Sequence, residues 1–188
     1  RGLVYFGSAD GRVHCLQASD GARVWSFAAA PADLRIVSED RVESVWPVHG
    51  SVLVHGGSLW FAAGRSSYLD GGIAMWRLDP LTGEVQASRR ISHMTGVETR
   101  IQDELKPGSR MVGALTDVLS AGEGKTVFMR HNHYDADFNK VEPNWHIYSA
   151  NGYLDDSWFN RSYWIYGMRM WGEYKGWPVS SFHVPFGR

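Results

Sequence analysis

The sequence predicts an all-β fold, a partial β-propeller of about four antiparallel blades. Three observations carry the expectation. Helical periodicity is nearly absent, short runs rich in Val, Ile, Tyr, Phe and Trp recur between Gly, Asp, Asn and Ser turn clusters, and the pattern returns about four times in 188 residues. Short strands of this kind suit a sandwich, a barrel or a propeller, and a spacing of roughly 40 to 50 residues per repeat is that of propeller blades.

The first blade, 1–28, reads as strands at 3–6, 13–16 and 24–27. They are separated by Ala9-Asp10-Gly11 and Ser19-Asp20-Gly21, Asp-Gly turns of the type that closes tight hairpins. The second, 48–92, has strands at 52–54, 59–63 and 73–78, with turns at Gly56-Gly57, at Asp70-Gly71-Gly72 and along Asp79-Pro80-Leu81-Thr82-Gly83-Glu84-Val85. Gly83 is the counterpart of Gly21. A third blade, 110–142, has strands at 117–119 and 126–130, and a fourth, 144–188, at 145–149 and 163–166, broken by Gly122-Glu123-Gly124 and Asn151-Gly152. Two segments fit the repeat badly. Residues 28–44 and 95–109 are charged or polar, the latter with a turn or two of helical pattern, and both are expected as loops that decorate one face and carry binding function.

Composition excludes several functions. Nineteen basic and twenty acidic side chains leave a formal charge of −1 without any Lys/Arg cluster, which argues against nucleic acid and anionic membranes as partners. Apolar runs fall short of a membrane span and no signal-peptide pattern opens the chain, although strand begins at once after Arg1, so the gene product is expected to start earlier. A single cysteine, Cys15, precludes an intramolecular disulfide and a CxxC zinc site; it alternates in a strand and is expected as a small core residue. No GxSxG elbow and no Walker pattern occur, which removes support for a serine hydrolase or a nucleotide site.

The runs Tyr5-Phe6-Gly7-Ser8-Ala9-Asp10-Gly11-Arg12-Val13, Asp20-Gly21-Ala22-Arg23-Val24-Trp25 and Leu78-Asp79-Pro80-Leu81-Thr82-Gly83-Glu84-Val85 resemble the PQQ-like β-propeller repeat. The segments 64–72 (GRSSYLDGG) and 152–167 (GYLDDSWFNRSYWIYG) look like motifs of large bacterial PQQ-like propeller proteins of planctomycete type, of which this chain resembles a C-terminal portion. Trp25, which ends the first repeat, is replaced by Ala87 in the second. The resemblance does not carry the quinone. Quinoprotein dehydrogenases set a vicinal cysteine pair against PQQ, and only Cys15 exists here, so PQQ is not expected as a cofactor. Relatives that bind no quinone act as scaffolds in outer-membrane assembly or as binding proteins, and are exported. The resemblance therefore implies a scaffold or binding module in the periplasm or outside the cell. An open run of blades would expose apolar end faces and unpaired edges, which predicts a homodimer, or a higher homo-oligomer, closing the ring about a two-fold axis.

Two residue sets could carry chemistry. In Arg130-His131-Asn132-His133-Tyr134-Asp135-Ala136-Asp137 a strand would place His131 and His133 on one face, about 6 to 7 Å apart, able to share a zinc ion and activate a water. His146, His183, His93 or Asp135 would complete it, and His131, His133, Asp135 and His146 form the candidate metal set. The plainer alternative is a strand end followed by a turn; calcium is disfavoured because the EF-hand glycine and terminal glutamate are missing. The second set comes from the two family-like motifs: Arg65, Ser66, Ser67, Asp70, Asp155, Asp156 and Arg161 could line a funnel and bind a polar ligand, or tie blades together. The aromatic tail, with Trp158, Trp164, Trp171, Tyr174 and Trp177, could stack sugars or fill a core. The sequence thus favours a non-enzymatic scaffold or binding module without quinone. The alternative is a metal-dependent hydrolase of esters or phosphoesters.

Overall fold

A computed structural model describes residues 2–38, 40–49, 52–92, 116–122, 126–130, 132–142, 144–149, 164–167 and 184–186. Its described elements are all strands, in antiparallel sheets made of consecutive segments. The first sheet is β1 (Leu3–Gly7), β2 (Arg12–Gln17) and β3 (Arg23–Ala28). A hairpin of β4 (Arg35–Ser38) and β5 (Arg41–Ser44) follows. The second sheet is a four-stranded meander of β6 (Leu53–His55), β7 (Ser58–Ala63), β8 (Ile73–Leu78) and β9 (Val85–Ile91). A third joins β10 (Ser120–Ala121), β11 (Val127–Met129) and β12 (Asn132–Tyr134), and a fourth β13 (His146–Ser149), β14 (Trp164–Gly167) and β15 (Val184–Phe186).

Strand alternation explains how these sheets stack. Every residue of β7 is buried, because its two faces serve different cores. Leu59, Phe61 and Ala63, with Ala74, Trp76 and Leu78 of β8, pack on Tyr5, Val13, Trp25 and Phe27 of the first sheet. Trp60 and Ala62, with Ile73 and Met75, pack on Val127, Met129, Tyr134 and Phe138 of the third. The third sheet uses its other side in turn: Phe128 and His133, paired across β11 and β12, contact the His146 ring of the fourth at centroid separations of 4.3 to 4.4 Å among the three rings. The second and third sheets therefore each lie between their sequence neighbours, which is the radial repetition of a propeller.

The junction of the first two sheets is the best defined. Phe27 meets Trp76 edge-on at 4.9 Å, and the Trp76 indole N–H donates to the Ala29 carbonyl at 3.1 Å. Tyr5 Oη and Trp25 Nε1 both donate to the Pro80 carbonyl, at 2.9 and 3.1 Å, and clamp the turn between β8 and β9. Gly83 in that turn has φ 75, and a Cβ there would stand 2.9 Å from the Trp25 ring. Gly21, in the matching turn of the first sheet, has φ 73 and open space around it. Gly83→Ala should therefore cost about 2 kcal/mol, the positive-φ penalty plus displacement of Trp25, whereas Gly21→Ala should cost only the penalty, about 1 kcal/mol. Urea unfolding of the dilute variants checks the difference, and equal costs would show that Trp25 yields freely.

The structure adds strands in places where the sequence pattern is thin. The polar segment 28–44 contains the β4–β5 hairpin, which pairs Val37 with Val42 in the open. β9 follows the turn at Gly83 although its sequence, VQASRRI, is half charged or polar; it is a mostly exposed edge strand, where such residues are tolerated and discourage further pairing. Residues 117–119, expected as strand, precede β10 instead. Asp117 is buried there, its Oδ1 accepting from the Val118 N–H at 2.8 Å and its carboxylate 3.9 Å from Arg130. The candidate loop 95–109 lies outside the described residues.

Candidate functional site

The two candidate sets fall in different places. The first centres on the junction of the third and fourth sheets. β12 begins at Asn132, and His131, Asp155, Asp156, Arg161, His93 and His183 lie outside the described residues. His133, on the face of β12 opposite Asn132 and Tyr134, is buried at the centre of the junction, and His146 at the start of β13 meets it ring to ring.

One assignment of the ring protons follows from the backbone N–H that meets His133. The Asn144 backbone N–H donates to His133 Nδ1 at 3.0 Å, so that nitrogen holds a lone pair and Nε2 the proton. His133 Nε2–H then donates to His146 Nδ1 at 3.1 Å, and His146 Nε2–H donates to the Arg130 carbonyl at 3.0 Å. This leaves His146 Nδ1 and the Asn144 carbonyl, 3.2 Å apart, as two acceptors, whereas the opposite tautomer of His146 would set two acceptors together at Arg130 and two N–H groups together at His133. The result is a directed chain from Asn144 through the two imidazoles to Arg130.

Asp135 takes no part in it. Its Oδ1 accepts the N–H groups of Asp137 and Asn139 at 2.9 and 2.8 Å, and Oδ2 accepts from the Asn139 amide at 3.0 Å, closing the turn in which Phe138 adopts φ 60. The slight burial of this carboxyl, which raises its pKa, is outweighed by those hydrogen bonds and by Arg89, so it is held below its ordinary value. Among the described residues no three His, Cys, Asp or Glu side chains converge as a metal site.

The second set gathers at the loop end of the first two sheets. The Gly64 N–H donates to the Pro47 carbonyl and the Val48 N–H to the Ser8 carbonyl, each at 3.0 Å, so that segment 44–49 runs across the ends of β1 and β7. Arg65 pairs with Asp70 at 2.6 Å, both side chains about one-third exposed. Ser66 and Ser67 are buried; Ser66 Oγ accepts the Tyr68 N–H at 3.2 Å, which builds the turn that leads to Gly71 and Gly72. His49, which stands in no sequence motif, lies within electrostatic reach of Arg65. Burial pushes its imidazole below the ordinary value; the charge of Arg65 adds to this and Glu43 opposes it. This end offers the Arg65–Asp70 ion pair, the Glu43 carboxylate and the buried His49 imidazole, a polar surface with no activated nucleophile among the described residues.

Cys15 sits between Tyr5 and Trp25 in the first core, fully buried, with burial pushing its thiol up and the Tyr5 hydroxyl partly opposing.

No family model and no curated protein matches the chain. Among solved structures it is similar to BamB from Moraxella catarrhalis, at 16% identity and a TM-score of 0.49, with 98% of this chain and 47% of that chain covered. The chain thus spans about half the length of that protein. The fold stands on the sheets themselves and the way in which they stack.

Proposed function

We propose that the protein is a non-enzymatic propeller scaffold of the PQQ-like repeat type, working without quinone in the periplasm or outside the cell as a homo-oligomer. It binds a polar ligand or partner at the loop end that carries Arg65, Ser66, Asp70 and His49. The observation that carries this reading is the use of the polar groups. Tyr5, Trp25, Trp76 and the His133–His146 pair spend their polar atoms on joining one sheet to the next, and Arg65 and Asp70 are paired with each other. Among the described residues no helix is long and apolar enough to cross a membrane.

A metal-dependent hydrolase of esters or phosphoesters is the second reading, and one observation favours it. His133 Nε2 and His146 Nδ1 stand 3.1 Å apart, near the separation of about 3.3 Å that two nitrogens on a tetrahedral zinc would have. Elemental analysis of the purified protein, with a turnover assay on p-nitrophenyl acetate and bis-p-nitrophenyl phosphate, decides between the two. A metal-free protein without turnover is expected. Stoichiometric zinc, with turnover lost on chelation and regained on adding zinc, would replace the scaffold by the hydrolase.

A further inference from the structure

The first two sheets are two copies of one unit. Each has a register shift near the end of the strand before its last, at Cys15/Leu16 in β2 and at Arg77/Leu78 in β8. Each closes the following turn by the same pair of bonds, Gly21 N–H to Gln17 and Gln17 N–H to Ala22, Gly83 N–H to Asp79 and Asp79 N–H to Glu84. The pairs Val4 with Leu16 and Leu59 with Leu78 then correspond, as do Phe6 and Phe61, and Ala18 stands where Pro80 stands.

In the second sheet the face bearing Leu59, Phe61 and Leu78 is covered by the first sheet, and all three side chains are buried. The corresponding face of the first sheet is open. Val4 and Phe6 are 47% and 38% exposed, and above Gly21, where the matching Gly83 meets the Trp25 ring, there is nothing within 4 Å. The opposite end of the stack has the complement. His146 faces inward, so Ile147 and its partner Tyr166 face away together with Trp145, and these three are 39% to 55% exposed. Trp145 and Tyr166 lie 5.2 Å apart at 43°, close to the 5.9 Å and 39° of the Tyr5–Trp25 pair that clamps the turn at Pro80 and Gly83.

We propose that the open face of the first sheet is the docking site for the fourth sheet of a second copy of this chain, whose Trp145–Tyr166 pair takes on the turn 17–21 the place that Tyr5 and Trp25 take on the turn 79–83. The contact is heterologous, end to start, and two of them related by a two-fold axis close a dimer. This rests on the homo-oligomeric scaffold reading and names the surfaces that scaffold would use.

Light scattering at tens of micromolar tests it. The wild-type chain should have at least twice the monomer mass. Val4→Asp and Trp145→Ala should each be monomeric, with unchanged circular dichroism, and a mixture of the two at high concentration should form a heterodimer, because each variant keeps the surface that the other has lost. Gly21→Asn, which tolerates the positive φ and fills the open space, should act like Val4→Asp. Val37→Asp, exposed on β4, should leave the mass unchanged. A wild-type monomer at every concentration overturns the proposal and assigns the face to another occupant, such as a further sheet of a longer polypeptide. An oligomer that withstands both end variants, or a mixture that stays monomeric, also overturns it. A metal-free, inactive monomer removes this contact and leaves a binding scaffold standing, whereas zinc-dependent turnover removes the scaffold whatever the mass.

Discussion

Trp60→Ala is expected to destabilise the fold by about 3–5 kcal/mol, the largest effect of any single truncation in the described cores. Trp60 is 1% exposed and stands between the second and third sheets. Its ring meets Phe138 edge-on at 5.5 Å, carries the Arg77 guanidinium 5.3 Å from its centroid, and donates its indole N–H to the His55 carbonyl at 2.9 Å. Alanine would remove the apolar surface and the ring partner of Phe138 and leave a cavity, because Met75, Ile73 and Met129 are held by their own strands. Trp60→Phe keeps the edge contact and loses mainly the hydrogen bond, so about 1–2 kcal/mol is expected. Urea unfolding of both variants measures the ratio. Near-equal losses would mean that the indole N–H bond to His55, within the second sheet, and not ring packing against the third, carries the contribution of Trp60.

What the sequence revealed and what it concealed follow from the same packing. The strands around Val13, Phe61 and Ile73 were legible because β-branched and aromatic runs are bounded by Asp-Gly and Gly-Gly turns, and the described strands agree within a residue or two. β9 was not, because an edge strand exposed on most of its length needs no apolar pattern and shows none. The β4–β5 hairpin escaped for a related reason: it pairs Val37 with Val42 in solvent, so its sequence reads as an excursion. At the candidate sites the i, i+2 rule needs His131 and His133 on one strand, and His131 lies outside the described residues. The partner of His133 among the described residues, His146, was one of four possible third ligands, and only the pairing of the third and fourth sheets singles it out. Arg65 and Asp70 were found together because one short turn joins them. His49 was not, since its place beside Arg65 depends on the crossing of segment 44–49 over the ends of two sheets.

The second large effect is expected at His133, and it also separates hydrogen bonding from metal binding as the reason that two imidazoles are buried together. His133→Ala should cost about 3–4 kcal/mol, combining the lost contacts of a fully buried ring with the desolvation of groups that bonded to it. Those groups are the Asn144 N–H and His146 Nδ1, and Phe128 would lose the ring it touches at 4.3 Å. Because the damage falls where the third sheet meets the fourth, the fourth should loosen before the rest. Backbone amides of β13 and β14 should then exchange with solvent faster than those of β7 and β8, a difference that hydrogen exchange resolves. A chelator discriminates the cause. If the chain from Asn144 through His133 and His146 to Arg130 holds the junction by itself, adding EDTA to the wild-type protein should leave its urea midpoint unchanged. If a metal bridged His133 and His146, chelation should destabilise the wild type nearly as much as the substitution does and leave His133→Ala untouched, because binding to the folded state alone adds its own free energy to stability. The direction of the EDTA effect thus assigns the buried pair to the architecture or to chemistry.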